Sequence, residues 1–400
     1  MSVIIDKERI DAIFERGVVV NVLPSQDALY ERLQSGDRLK IYIGADPTSS
    51  ALHLSHAKNY MLLEELRQLG HEVIVLFGDF TAQIGDPTDR PDTRPSLDAD
   101  KVANHVKDWL HQIAPLLDFE DSENPAQVRY NSEWLSSLSL SEVVKLASHF
   151  TVQQMMERDM FEKRLQAQTP IHLHEFLYPL MQGYDSVALD VDIELCGTDQ
   201  TFNALAGRTL QRKLNDKEKF VIAVNLMENP ETGELMSKSR GTGVFLASSA
   251  DEMYGSIMAQ PDAMLENLYV NVTRLPLQDF PALMEKGPRL AKAEIAREIV
   301  RIFHGNDEAE HAEQVFEQTF AQRQIPDNIP TYVLKKDETL AEVLVRNKVV
   351  ASKSEFRRLV ESGGVRDEAG NKILDVHTIV EKGSTYKIGK RRFVRIEPNL

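Results

Sequence analysis

The chain has 400 residues, 42% of them hydrophobic and 27% charged, with a formal net charge of −16. This is an ordinary soluble globular composition, long enough for two or three domains with a substantial core. A single cysteine, Cys196, excludes an internal disulfide and a thiolate metal cluster, which fits a reducing cytoplasm, and no apolar run is long enough to serve as a signal core or membrane span.

Residues 1–38 read as helices, because Lys7 to Arg16 and Ser25 to Gln34 carry apolar positions at helical spacing. Lys40 to Gly44 follows as a buried strand with β-branched Ile41 and Ile43, and Asp46-Pro47-Thr48 is turn chemistry. From Leu54 the apolar residues recur at helical spacing as far as Leu69, Gly70 is a stop, and Glu72 to Phe77 is a second buried strand. Strand, helix and strand in so few residues form a βαβ unit, hence a parallel sheet with a right-handed crossover. Ligands of such sheets bind beyond the carboxyl ends of the strands, where Tyr42 to His56 lie. His53 and His56, three apart, share one face of the first helical turn, where backbone N–H groups and the helix dipole favour an anion. Surface histidines or half a zinc site would show the same pair, although the Glu-centred i, i+4 histidines of zinc proteases are absent.

Gly78 to Thr88 is a strand-end loop in which Thr81 and Asp86 either face a ligand or form turns. A polar loop from Arg90 to Asp98, a long helix from about Asp100 to Leu117 and a short strand, Gln127 to Tyr130, come next. Ser141 to Arg164 reads as helical and is rich in methionine and phenylalanine, a stripe that is core by default. Tyr178, Gln182 and Asp185, spaced i, i+4, i+7, place three polar groups on one helix face inside an apolar segment. That face is exposed, mutually satisfied or lining a pocket.

The strand Asp192 to Cys196 leads into Gly197-Thr-Asp-Gln200, again a strand-end ligand position. There Gly197 permits close backbone approach, and Asp199 and Gln200 supply polar contacts. A strand from Phe220 to Asn225 precedes Leu235-Met-Ser-Lys-Ser239, a polar loop flanked by Gly233, Gly241 and Gly243. No GxxxxGK[ST] or GxGxxG occurs, so P-loop kinases and dehydrogenases find no support. Asp251 to about Gln322 reads as helical, and Ile325 to Pro330 as a linker.

The last segment alternates short strands and turns around one helical pattern, in which Ser352 caps a helix carrying Lys353, Arg357 and Arg358. Residues 331–400 hold 15 basic and 10 acidic residues, a net of +5 on a body of −21. A local polyanion contact accounts for this, as do solvated surface lysines.

His53-Leu-Ser-His56 resembles the HIGH signature of class I aminoacyl-tRNA synthetases, and Leu235-Met-Ser-Lys-Ser239 resembles their KMSKS loop. With Tyr42-Ile-Gly-Ala-Asp-Pro-Thr48, the Tyr178/Gln182/Asp185 face and GTDQ, the order is that of bacterial tyrosyl-tRNA synthetases over nearly the whole chain. The resemblance implies an α/β fold: a Rossmann-like parallel-sheet catalytic domain over 1–245, with a dimer-forming helical insertion at about 120–170. An α-helical tRNA anticodon-binding domain over 246–325 and a small α+β, S-four-type RNA-binding module over 332–398 would follow.

The implied activity is ATP-dependent activation of L-tyrosine to tyrosyl-AMP, then transfer to the terminal adenosine of tRNA(Tyr). Magnesium would accompany ATP, and no structural metal is implied. A cytoplasmic homodimer without membrane contact is implied as well. Thr48, His53 and His56 would contact ATP, which Gly44, Gly197 and Asp199 would border, while Lys238 and Ser239 close over the leaving pyrophosphate. Asp46, Thr81, Asp86, Tyr178, Gln182 and Gln200 would surround tyrosine, with Tyr42 and Asp185 on its phenol hydroxyl; Lys353, Arg357 and Arg358 would meet RNA.

Two positions depart from the family pattern: Ser55 replaces the glycine of HIGH, and Leu235 the first lysine of KMSKS, for which Arg240 is a candidate substitute. A tryptophanyl-tRNA synthetase and a non-catalytic RNA-binding paralogue are the alternatives.

Overall fold

The computed structural model describes residues 2–86, 98–236, 242–318, 329–335, 338–368, 370–378, 384–389 and 392–398. The chain divides into two compact units, Met1–Ala309 and Glu310–Leu400. No helix among the described residues is long and apolar enough to cross a membrane.

The first unit is built on six strands: β1 (Val19–Leu23), β2 (Lys40–Ala45), β3 (Glu72–Phe77), β4 (Gln127–Tyr130), β5 (Ile193–Gly197) and β6 (Phe220–Val224). Their spatial order is β1-β6-β5-β2-β3-β4. β2 to β6 run parallel, with Ile43 opposite both Val75 and Leu195, while β1 pairs antiparallel with β6 at the edge. The predicted βαβ unit is present as β2, helix Leu54–Gln68 and β3, with Ile41, Ile43, Val73 and Val75 buried. Gly70 stops the helix at φ +93°, where an added Cβ would meet the backbone of Ser2 and Val3.

Three local readings are corrected. Residues 1–38 are not all helical, because Val19, Val20 and Val22 form a β-branched run that finds its partner in β6, far along the chain. The helix expected to reach Leu117 spans Ala99–Ile113; Ala114 caps it in helical geometry, and Pro115 has no N–H with which to extend the ladder to the His111 carbonyl. The stretch 141–164 is not continuous but three helices, Leu140–Ala147, Val152–Met156 and Asp159–Gln166. Ser139 caps the first, close to the expected start, by accepting from the Glu142 N–H, and Thr151 caps the second by accepting from the Gln154 N–H, so a new helix starts where one was expected to continue. Met155 and Phe161 are buried as expected, whereas Leu140, Val144, Val152, Leu165 and Leu173 are exposed. Beyond β6, five helices from Ala250–Met258 to Asn306–Phe316 agree with the helical reading.

The second unit contains a sheet of β7 (Thr331–Leu334), β8 (Val365–Asp367), β9 (Ser384–Ile388) and β10 (Arg392–Pro398), ordered β7-β10-β9-β8. Helices Leu340–Arg346 and Lys353–Glu361 close its core around Leu344, Phe356, Val365, Ile388 and Ile396. Ser352 caps the second helix, its Oγ accepting from the Glu355 N–H at 3.2 Å. Arg357 and Arg358 are exposed, and Lys353 pairs with Glu342 at 2.8 Å. Most of the expected linker lies outside the described residues.

Candidate active site

A cavity of about 400 Å³ opens at the carboxyl ends of β2, β3 and β5. Gly44, Asp46 and Thr48 line it from the end of β2 and the turn beyond, and His53 and His56 from the start of helix Leu54–Gln68. Thr81 and Asp86 enter after β3, and Gly197, Asp199 and Gln200 after β5. Helix Tyr178–Leu189 contributes Tyr178, Gln182 and Asp185. The polar face read from their spacing therefore lines a pocket, and its three groups are bonded to Asp46, to Glu194 and Asn203, and to Asn131 and Trp134 from other elements.

Asp46 organises one side. Its Oδ1 accepts from the Thr81 hydroxyl at 2.7 Å and its Oδ2 from the Tyr178 hydroxyl at 2.8 Å. Gly78 makes room for this: an added Cβ would lie 2.0 Å from Asp46 Oδ1. Asn131, one residue past β4, donates to Thr81 Oγ1 at 3.0 Å and to Asp185 Oδ2 at 3.3 Å, and the Trp134 indole N–H donates to Asp185 Oδ1 at 2.7 Å. Asp185 is 3% exposed, and burial, only partly countered by those donors, holds its carboxyl pKa well above the usual range.

A second chain of side chains runs behind the cavity. Gln200 donates to Asp86 at 2.8 Å, and Asn203 donates to both Gln200 and Gln182 at 2.9 Å. Gln182 donates to Glu194 at 3.1 Å, and Glu194 forms a fully buried pair with Lys219, which also donates to Ser186 at 2.8 Å. Tyr42 belongs to this network. It is fully buried, its hydroxyl 2.9 Å from Ser186 Oγ, and it does not line the cavity with Asp185. The buried Ser186–Lys219–Glu194 cluster engages its hydroxyl, a partner that the expected pairing with Asp185 on the phenol did not include.

At the helix start, burial lowers the pKa of His53 to about 4 and of His56 to about 3, so both imidazoles are neutral at pH 7. His56 Nδ1 lies 3.2 Å from the His53 backbone nitrogen and 3.3 Å from its carbonyl oxygen; when Nδ1 accepts from the N–H, the ring proton is on Nε2 as a donor. Ser55 lines the cavity where the family pattern has glycine, and so does half-exposed Leu235. Lys238, Ser239 and Arg240 lie outside the described residues. Downstream of them, the Leu54 N–H donates to Val244 at 3.0 Å and the Leu246 N–H to Leu52 at 3.0 Å, tying that segment to the histidine stretch.

Asn131, Trp134, Glu194 and Asn203 were not singled out from the sequence. For Asn131 a signal existed, a polar residue directly after a strand of a parallel sheet. Glu194 lies within a strand and Asn203 within a helix, where nothing in the pattern marks them.

The family described as "tRNA synthetases class I (W and Y)" matches residues 34–321. The chain is 39% identical to the tyrosine–tRNA ligase of Moorella thermoacetica, over 96% of this chain and 94% of that one. It is 39% identical to that of Haemophilus ducreyi, over 97% and 98%. Its fold superposes on a C-terminally truncated Coccidioides posadasii mitochondrial tyrosyl-tRNA synthetase with a TM-score of 0.63 and 25% identity, over 76% of this chain and 91% of that one.

Proposed function

From the membership of this chain in the class I tRNA synthetases of the W and Y type, we infer that it is a tyrosine–tRNA ligase. It activates tyrosine with ATP and transfers it to tRNA. The observation that carries the choice of amino acid is Asp185, a buried carboxyl in the cavity with two donors fixed on it and capacity left for a phenol. Phenylalanine would leave that capacity empty, and the tyrosyl synthetases are the standard illustration of discrimination by an unpaired buried group.

In the first step an oxygen of the tyrosine carboxylate bonds to the α-phosphorus as the bond to the β-phosphate oxygen breaks and pyrophosphate leaves. In the second, a ribose hydroxyl of the tRNA terminus attacks the tyrosyl carbonyl and AMP leaves. Neither step needs a protein nucleophile, so position and charge carry the rate. In our reading the oxygens of Tyr178, Gln182 and Asp86 receive the substrate ammonium, with Asp46 orienting Tyr178 and Thr81. Gln200 lies beside the amino acid and holds Asp86. Thr48 and the neutral N–H donors of His53 and His56 meet the nucleotide at a helix N-terminus, which Gly44, Gly197 and Asp199 border. Lys238 and Ser239 close over pyrophosphate. Magnesium arrives with ATP.

Residues 246–325 would contact the anticodon region. Exposed Arg357 and Arg358 with Lys353, on a unit of net positive charge, would contact RNA phosphates. A homodimer in the cytoplasm completes the reading. The exposed side chains of Leu140, Val144, Val152, Leu165 and Leu173 support self-association, which sedimentation equilibrium reads directly. The deciding experiment is ATP–pyrophosphate exchange with tyrosine, tryptophan and phenylalanine. Exchange with tyrosine alone, followed by charging of tRNA(Tyr), is the expected outcome; no exchange, or exchange driven by tryptophan, overturns the reading.

A further inference from the structure

Asp46, Asp86 and Asp199 line the cavity, beside Asp185, which burial disposes to be neutral, and Glu194, which Lys219 neutralises; among the described lining residues Lys58 is the sole lysine or arginine. A nucleoside triphosphate entering such a site needs a cation to meet it.

Lys58 lies on the same helix as the two histidines and is 3% exposed. Its Nζ donates to Asn59 Oδ1 at 2.9 Å, its only hydrogen bond among the described residues, and no carboxylate among them lies within ion-pair distance. Asp199, across the cavity, favours its charge from further away, while burial lowers its pKa to about 7. An ammonium has three donors, and this one has at least two to spare. A buried cation without an anion is costly, and the nearby neutral histidines at the helix N-terminus mark the place where an anion is received.

We propose that Lys58 is a polyphosphate-binding residue, its ammonium holding the phosphates of ATP and the departing pyrophosphate from inside the cavity. The proposal rests on reading this cavity as the adenylation site. It supplies from the helix a positive charge that Leu235 cannot supply from the loop. Phosphate oxygens would take the place that a carboxylate takes in an ordinary buried ion pair.

The test compares the full-length chain with Lys58→Gln, which removes the charge but keeps a donor for Asn59, and with Lys58→Met, which fills the same space. Neither change should lower the melting temperature, since each removes a buried charge. kcat/KM for ATP in tyrosine-dependent exchange should fall on the order of tenfold to a hundredfold in both variants, while the Kd for tyrosine alone stays within about twofold. Wild-type kcat/KM for ATP in Lys58→Gln overturns the proposal. An equal loss of tyrosine binding also overturns it, because Lys58 would then act through the shape of the site.

If the wild-type chain shows no tyrosine-dependent exchange, the activity reading fails on its own, and calorimetry with pyrophosphate decides for Lys58. At least tenfold weaker binding in Lys58→Gln sustains the proposal; equal or undetectable binding by both proteins overturns it.

Discussion

Asp185, in the proposed reading, is the carboxyl that makes the site selective. Trp134 and Asn131 fix both of its oxygens, and burial makes any unmet hydrogen-bonding capacity expensive. Asp185→Ala is expected to lower kcat/KM for tyrosine on the order of tenfold to a hundredfold, while urea denaturation shifts by less than about 2 kcal/mol. Normal activation of tyrosine by the variant would remove Asp185 from the phenol. A second prediction at this scale concerns His71, which is 1% exposed and accepts from the Leu39 N–H at 3.3 Å. Burial, reinforced by Arg38, lowers its pKa to about 4, against about 6.5 for an unfolded histidine. The unfolded chain therefore binds more protons between those values, so this stability is whole above about pH 6.5 and is lost as the pH falls towards 4. His53 and His56 act in the same sense, and Asp185, with its raised pKa, in the opposite one. Thermal unfolding at pH 7, 5.5 and 4.5 should show His71→Asn losing less on acidification than wild type; parallel curves would refute this assignment.

At the scale of elements, the approach of helix Tyr178–Leu189 to helix Thr201–Leu214 sets the back wall of the site. An added Cβ at Gly207 would lie 2.5 Å from Lys219 Nζ and 2.7 Å from Ser186 Oγ. Gly207→Ala should therefore cost about 1–3 kcal/mol in urea denaturation through displacement of the buried Lys219–Glu194 pair, and an unchanged midpoint would mean that the wall yields freely. Much of this layout was legible in advance. The βαβ unit, the polar face of helix Tyr178–Leu189 and the strand-end GTDQ each carry a strong local period or turn signal. β1 was not legible, because its strand character depends on an antiparallel partner that local periodicity does not reveal. The break at 148–151 escaped because apolar residues continue on both sides of it, and only the side chain of Thr151, bonded to the Gln154 N–H, marks a new start. Tyr42 shows a different limit. Its strand was clear, but where its hydroxyl ends depends on Ser186 and Lys219, which tertiary packing alone brings near.

In the proposed reading the whole molecule divides chemistry from recognition. Residues 331–400 carry a net of +5 and belong to a unit with its own core, whereas the cavity lies entirely in the first unit. Removing 331–400 should leave ATP–pyrophosphate exchange near wild type and sharply lower tRNA charging; an equal loss in both would make the tail structural. Asn131 has a consequence for anyone wishing to re-code this enzyme for an unnatural tyrosine. Through its one amide nitrogen, which touches both Thr81 and Asp185, the proposed phenol end of the pocket is joined to the proposed amino-group end. Substitutions at Asp185 and Thr81 should accordingly show a coupling of about 0.5–3 kcal/mol in a double-mutant cycle, vanishing when Asn131 is alanine. A library that varies the phenol end while holding Asn131 fixed would select against its own best members, so the three positions form the smallest unit in which new substrates can be sought.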